Sequence, residues 1–284
     1  NLAHIYRENE LFSLAIGVYL EVLEINPKEL VAIESLAFLY HQDKNNKQAN
    51  KYYFMLEDIN NISFTSILNM AVFYYEQNEI IKAKKNILLA IKIDDTSFKA
   101  YQYLGNIYRQ QLQIENAINA YKNSLKLNPD NKVIVWNLGF LYLLKGDYLQ
   151  GFKLTERRYE TKMLRQKTFI KAKKYNNQDL NHKILYVYSE QGLGDNIQFV
   201  RYLALIKEKY PYCKIILSTR VELYVLFKNI SCIDEVFDYD EINKSYDYYI
   251  PMFSLAYIFK TTLSNIPNNF PYLSIVQNNI NLNV

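Results

Sequence analysis

The run Glu190-Gln191-Gly192-Leu193-Gly194-Asp195 carries residue types and spacing that could do chemistry. It follows a short apolar run, Ile184 to Tyr188, and precedes an amphipathic stretch, so it reads as a strand-to-helix turn. Gly192 and Gly194 would let the backbone turn sharply, with positive φ available. A dinucleotide cradle of the Gly-x-Gly-x-x-Gly kind is excluded, because Ile197 occupies the third glycine slot and the Asp195 carboxylate sits where a pyrophosphate would go. Two readings of Asp195 remain. At a helix N-terminus its ionised form is favoured, and it could take the proton from an attacking sugar hydroxyl as a general base. Alternatively it only caps its helix, a contribution of about 1 kcal/mol. Gln198 lies near enough to help orient a substrate, whereas Arg201 reads as a surface residue. Arg220 either holds a phosphate or carboxylate or begins a solvated helix. His4, His41 and His182 have no cysteine or carboxylate at ligand spacing, so no metal site is expected.

These residues need a scaffold, and the alphabet downstream of residue 182 supplies one. Beside Ile184–Tyr188, the runs Lys214–Thr219, Val236–Tyr239 and Tyr246–Ile250 read as strands, and Val221–Phe227 as a helix. Another helix should follow the glycine turn, with Ile197, Val200 and Ala204 on its apolar stripe. Strands alternating with helices predict a parallel α/β sheet of Rossmann type over 183–284. Ligands of such sheets bind beyond the carboxyl ends of the strands. That edge presents Glu190 to Asp195, Arg220, and Pro251 to Ser254, so the expected substrate-binding set is Glu190, Gln191, Gly192, Leu193, Gly194, Gln198, Arg220 and Ser254. Residues 153 to 174 hold nine Lys or Arg against Glu156 and Glu160. They read as a solvated connector (161–182) or as a basic patch attracting an acidic substrate.

The first 160 residues follow a different rule. Leu104-Gly105, Tyr108, Ala117, Tyr121, Ser124 and Pro129 recur at a period of 34: as Met70-Ala71, Tyr74, Ala83, Ile87 and Ala90; as Leu36-Ala37, Tyr40, Ala49 and Tyr53; as Leu2-Ala3, Tyr6, Ala15, Tyr19 and Pro27; and as Leu138-Gly139, Tyr142, Gly151 and Thr155. This pattern resembles the tetratricopeptide (TPR) repeat. Small residues permit close helix crossing, tyrosines fill the gaps, and proline stops a helix. About five helix pairs, the first incomplete, should stack into a right-handed α-solenoid with a concave binding face. Most of the 27 tyrosines are then packing residues. Concave positions in the fourth repeat are Lys99, Gln102, Asn106 and Arg109. Those of the second are Val31, Glu34, Phe38 and His41, those of the third Thr65, Leu68, Val72 and Tyr75, and those of the fifth Val133, Trp136, Phe140 and Leu143. Asn69 and Asn137, with Asn1, share another position and resemble the asparagine ladder with which O-GlcNAc transferase grips peptide backbone. The expected peptide groove is therefore Asn69, Lys99, Gln102, Asn106, Arg109 and Asn137, although asparagine is simply common in this chain.

The block Glu190-Gln-Gly-Leu-Gly-Asp-Asn-Ile-Gln-Phe-Val-Arg-Tyr202 resembles the signature of bacterial TPR-containing glycosyltransferases. It is similar to the Gly-Asp motif of lipopolysaccharide heptosyltransferases. Supporting pieces are Gly146-Asp147-Tyr148, Gly151-Phe152, Tyr159-Glu160, Thr261-Thr262-Leu263, Ile266-Pro267 and Pro271-Tyr272-Leu273. The resemblance implies a GT-B enzyme with two Rossmann-like domains, of which this chain holds the acceptor side, and it implies that Asp195 is the base. The nucleotide-sugar donor would require a further C-terminal domain, so no cofactor is expected on this chain. The expected function is acceptor recognition, of a protein or glycan, within such an enzyme. The alternative is a non-catalytic TPR scaffold that binds peptides. The chain opens inside a repeat on Asn1, which suggests a missing N-terminus. A net charge of +4 argues against nucleic acid, and the absence of an 18-residue apolar run argues against a membrane span. Cys213 and Cys232 without metal spacing suit a reducing, cytoplasmic compartment.

Overall fold

The computed structural model describes residues 2–57, 59, 61–161, 172–190, 192–238 and 245–273. It divides into two compact units, Asn1–Ile134 and Val135–Val284.

The first unit is a stack of antiparallel helix pairs: α1 (Leu2–Glu8) with α2 (Phe12–Ile25), α3 (Leu30–Gln42) with α4 (Asn46–Glu57), α5 (Phe64–Glu76) with α6 (Ile80–Ile93), and α7 (Phe98–Gln110) with α8 (Ile114–Leu127). The 34-residue period is written into the backbone as well as the core. Glu10, Lys44, Asn78 and Leu112 all have φ between 57° and 61°, and Gly146 takes the same slot at 89°. At each, the helix closes with a Schellman bond, as in Gln113 N–H to Tyr108 O at 2.8 Å and Glu79 N–H to Tyr74 O at 2.8 Å. The carbonyl acceptor is the repeat tyrosine every time. N-caps recur at the same spacing: the Ser63 hydroxyl accepts from Ser66 N–H, Ser97 from Ala100 N–H, and Asn131 Oδ1 from Ile134 N–H.

The small residues lie where close crossing demands them. Ala15, Ala37, Ala49, Ala71, Ala83 and Ala117 are completely buried. A Cβ on Gly105 would overlap the Tyr121 ring. Tyr53, Tyr74 and Tyr121 are buried, as packing residues should be. The solenoid expectation holds for these four pairs.

In the second unit the fifth pair, α9 (Lys132–Lys145, which begins in the first unit) and α10 (Tyr148–Thr155), repeats the same close crossing. A Cβ on Gly151 would lie 2.5 Å from Leu143 Cδ2. A 3-10 turn (Glu156–Thr161) follows. The bulk of the basic run, 162–171, lies outside the described residues.

Five parallel strands among the described residues then form one sheet: β1 (Lys173–Lys174), β2 (Ile184–Tyr188), β3 (Lys214–Thr219), β4 (Glu235–Asp238) and β5 (Tyr248–Pro251), ordered β1-β5-β2-β3-β4. Strand direction along the chain reverses its spatial progress between β2 and β5, which pair in parallel from Leu185↔Tyr248 to Tyr188↔Pro251. The expected strands β2 and β3 have the bounds read from the sequence; β4 begins one residue earlier than expected, with Tyr239 of its run outside the described residues, and β5 is displaced by a residue or two. β1 was not anticipated, and it falls inside the stretch read as a connector. Tyr175 and Leu180 in that stretch are buried too. One sheet face, with Leu185, Val187, Ile215, Leu217 and Ile250, packs with Phe199, Leu203, Phe227 and Leu255 from the helices. The other gathers Tyr186, Tyr188, Ile216 and Tyr249.

The single helix expected after the glycine turn is two: α11 (Leu193–Phe199) and α12 (Tyr202–Lys209). The break turns the buried stripe onto Phe199, Val200, Leu203 and Ile206, leaving Ala204 exposed. α13 (Val221–Phe227) has its expected bounds, and α14 (Ser254–Ile258) follows β5.

Candidate functional site

The carboxyl edge of β2 holds a dense polar cluster, and its centre is a residue the sequence reading passed over. Arg158, on the 3-10 turn, is fully buried. Its guanidinium forks onto Glu190, with Nε to Oε1 at 2.8 Å and Nη2 to Oε2 at 2.7 Å. Nη1 donates to Glu156 Oε1 at 2.9 Å and to Thr155 O at 3.2 Å, and Nη2 also donates to the Ser254 hydroxyl at 2.8 Å. The guanidinium carbon lies over the rings of Tyr159 and Phe253, 4.8 and 5.2 Å from their centroids. Tyr159 donates to Glu190 and meets the Tyr188 hydroxyl at 3.0 Å. Lys174, on β1, pairs with Glu156 Oε2 at 2.9 Å.

The electrostatics follow from this packing. Burial disfavours the guanidinium charge, but Glu190 and Glu156 outweigh it and hold the Arg158 pKa above its ordinary value. Burial likewise raises Glu156, yet Arg158 and Lys174 overcome it and leave that carboxyl below the usual range. Burial and the Glu190 charge push the Tyr159 hydroxyl well up, so it stays a donor.

Two expected substrate ligands are therefore engaged internally. Glu190 is spent on Arg158 and Tyr159, and Ser254 on Arg158. Arg220 pairs on the surface with Glu222, Nη2 to Oε1 at 2.7 Å. Gln191 lies outside the described residues. Arg201 is no free surface residue: it donates to Pro267 O at 3.1 Å and to the Tyr272 hydroxyl at 3.3 Å, tying down the segment that follows α14.

The glycine reading also needs correction. Gly192 is the N-cap of α11, with φ −64° and ψ 169°, and neither it nor Gly194 takes a positive φ. A Cβ on Gly194 would meet nothing within 4 Å, and one on Gly192 only Asp195 Oδ2 at 4.0 Å. Neither glycine is required by the protein's own packing, and Gly192, Leu193 and Gly194 are all exposed.

Asp195 does not cap α11, because that helix has no side-chain cap; Asn196 instead donates through Nδ2 to Gly192 O at 3.0 Å. Among the described residues the Asp195 carboxylate has no hydrogen-bond partner. With Gln198 it lines a cavity of about 290 Å³, whose other walls include Phe140, Tyr148, Phe152 and Phe253. Phe140, whose position in the repeat faces either the groove or the following domain, lines this cavity with Leu143. The arrangement sets a free carboxylate and a primary amide against aromatic walls.

In the first unit a larger groove of about 670 Å³ runs between the first three repeats. Val31, Glu34, Phe38, Thr65 and Asn69 line it, all but one of them on the positions read as concave. Glu34 also accepts from Ser63 N–H at 2.7 Å, and His41 is paired with Glu76 at 2.9 Å. The fourth-repeat residues Lys99, Gln102, Asn106 and Arg109 lie along one side of α7, away from its buried Ala100, Leu104 and Ile107. Asn137 is half-buried on α9.

Comparison with known proteins agrees with the repeat fold. Residues 105–146 match the model of the TPR repeat. A crystal structure of MamA is 20% identical, with a TM-score of 0.52 over 57% of this chain and 95% of that one. MamA from Desulfovibrio magneticus RS-1 is 14% identical, with a TM-score of 0.52 over 57% and 92%. YrrB, described as a TPR protein with an unusual peptide-binding site, is 13% identical, with a TM-score of 0.50 over 57% and 83%. At such identities the likeness is one of fold. No curated protein sequence matches the chain. The solenoid is thus a TPR array; none of these matches points to a glycosyltransferase.

Proposed function

We propose that this protein is a TPR scaffold that holds an extended peptide in the groove of residues 1–134. The observation that carries the reading is the 670 Å³ groove itself, whose walls alternate apolar side chains (Val31, Phe38) with polar ones (Glu34, Thr65, Asn69). Such walls suit a peptide held through side-chain amides and apolar pockets. YrrB, which shares the fold, is described as peptide-binding. Selection of a random dodecapeptide library on the full chain tests it. Selected peptides should lose at least tenfold in affinity on Phe38→Ala or Asn69→Ala. An empty selection, or binding indifferent to both changes, sinks the reading.

A second reading rests on the unpartnered Asp195. The change of strand progress between β2 and β5 is a topological switch point, where ligands of Rossmann-like sheets bind. In this reading 1–160 is a five-repeat array, 161–182 a connector and 183–284 the acceptor half of a cytoplasmic glycosyltransferase. Asp195 would take the proton of an acceptor hydroxyl as it attacks. Gln198 would orient the acceptor, and Gly192–Gly194 would let it approach the backbone. Saturation-transfer NMR with simple glycosides gives the test: Asp195→Asn should remove the signal, and no signal on the parent chain would end the reading.

A further inference from the structure

The groove between the first three repeats is acidic, and its charge is not a demand of the fold. Glu8, Glu10 and Glu34 line it against a single cation, Arg7. Arg7 already stands beside Glu8, Nη2 to Oε1 at 3.7 Å, which leaves Glu10 and Glu34 uncompensated. The slot of Glu34 is held one period later by Leu68, then by Gln102, then by Trp136. The same stack thus accepts an apolar, an amide and an aromatic side chain there, and packing does not ask for a carboxylate.

Glu34 is also held in place. Its Oε1 accepts the N–H of Ser63, the N-cap of α5, at 2.7 Å. It is half-buried and lies one turn from Phe38 on the groove side of α3. Among the described residues it has no other side-chain partner, and the Glu10 carboxylate has none. An ionised carboxylate offers about four lone-pair sites, so the Ser63 bond leaves most of that capacity open to the groove. A carboxylate fixed by one backbone donor beside an aromatic ring is matched by a group that brings both N–H donors and positive charge.

We infer that this groove selects a peptide bearing a basic side chain, its ammonium or guanidinium group received by Glu34 beside the Phe38 ring. Glu10 is a second, more exposed carboxylate at the same wall, and Val31 and Phe38 supply the apolar contacts for the stem and its neighbours. Charge complementarity carries the choice of partner. It runs against the charge of the whole chain, +4, which by itself would gather acidic peptides. A preference for a base must therefore come from the groove. The inference rests on the peptide-groove reading and adds the chemistry of the peptide.

Fluorescence anisotropy on the full chain tests it, with three labelled dodecapeptides: alternating Lys-Val, Ser-Val and Glu-Val. The Lys peptide should bind at least tenfold tighter than the other two and weaken as salt rises from 50 to 300 mM. Glu34→Gln is the sharp variant, because it keeps an oxygen for the Ser63 N–H while removing the charge. It should cost the Lys peptide fivefold or more and leave the Ser peptide unchanged, a selectivity that a merely structural Glu34 would not show. Equal or tighter binding of the Ser or Glu peptide, or indifference of the Lys peptide to Glu34→Gln, overturns the inference. A Ser peptide that binds as tightly as the Lys peptide and depends on Phe38 would overturn it while leaving the groove reading standing, whereas a failed library selection would remove both.

Discussion

The two units solve the same problem, fixing polar groups inside a packed fold, by opposite means. In Asn1–Ile134 the fixing devices that recur with the repeat are local: a hydroxyl or amide cap three residues from its N–H, a Schellman turn closing on the repeat tyrosine, a small residue beneath an aromatic ring. Each is modest, and stability accrues by repetition, as expected of a quasi-one-dimensional stack. In Val135–Val284 one buried guanidinium joins Thr155, Glu156, Glu190 and Ser254, spanning 96 residues of sequence. Repetition spreads risk across many small terms, whereas a single buried hub concentrates it.

The largest expected effect tests that contrast directly. Arg158→Met leaves Glu190 charged and buried, so about 3–5 kcal/mol should be lost. Urea denaturation followed by tyrosine fluorescence and far-UV circular dichroism should show an early transition in the sheet unit, with helical signal persisting. A single concerted transition would break the comparison. Next in size, Gly105→Val should cost about 1–3 kcal/mol through overlap with Tyr121, whereas Gly194→Ala, facing open space, should stay within about 0.5 kcal/mol. Equal costs would mean that the loop glycine is as structural as the repeat glycine.

A gain should come from Leu112→Gly, because a left-handed conformation costs a non-glycine residue about 1–2 kcal/mol and Leu112 makes little contact, being 77% exposed. Differential scanning calorimetry should show a rise in Tm corresponding to about 1 kcal/mol. No change would indicate that the turn's conformation is not strained.

The smallest effect is one of pH. The Glu156 pKa lies below its unfolded value, so its ionised form contributes stability present above the unfolded value, about 4.3, and lost as pH falls through the folded one. Stability measured by urea titration between pH 6 and 3 should therefore decline faster in the parent than in Glu156→Gln. Parallel curves would show that Glu156 contributes no such term.

The repeat was legible because its demands recur. Alanine or glycine at a crossing and tyrosine in a gap appear every 34 residues, and each is buried as the period requires. The left-handed turns recur with the same period but are occupied by Glu, Lys, Asn, Leu and Gly in succession. Backbone geometry there is imposed by the stack and not by residue preference, so composition concealed it.

Strands β2 and β3 were equally plain, being continuous β-forming runs. β1 is two lysines long and owes its existence to pairing with β5. Arg158 was hidden among nine basic residues in 153–174. The available clue was at the other end, for Glu190 closes a strand buried on both faces, and a carboxylate there requires a cation.

What the sequence by itself determined is the period: helix pairing, small-residue crossings, and strand and turn positions follow from contacts between near neighbours, whose spacing is written in the chain. Only the tertiary structure decided which polar groups are engaged and which are left over. It gave Glu190 to Arg158, left Asp195 without a hydrogen-bond partner among the described residues, and joined Gln102 to Asn131 and Asn106 to Tyr121. Hydrogen-bond partners are assigned by approach in space, within about 3 Å, and residues 32 or 96 apart in sequence carry no mark of that approach.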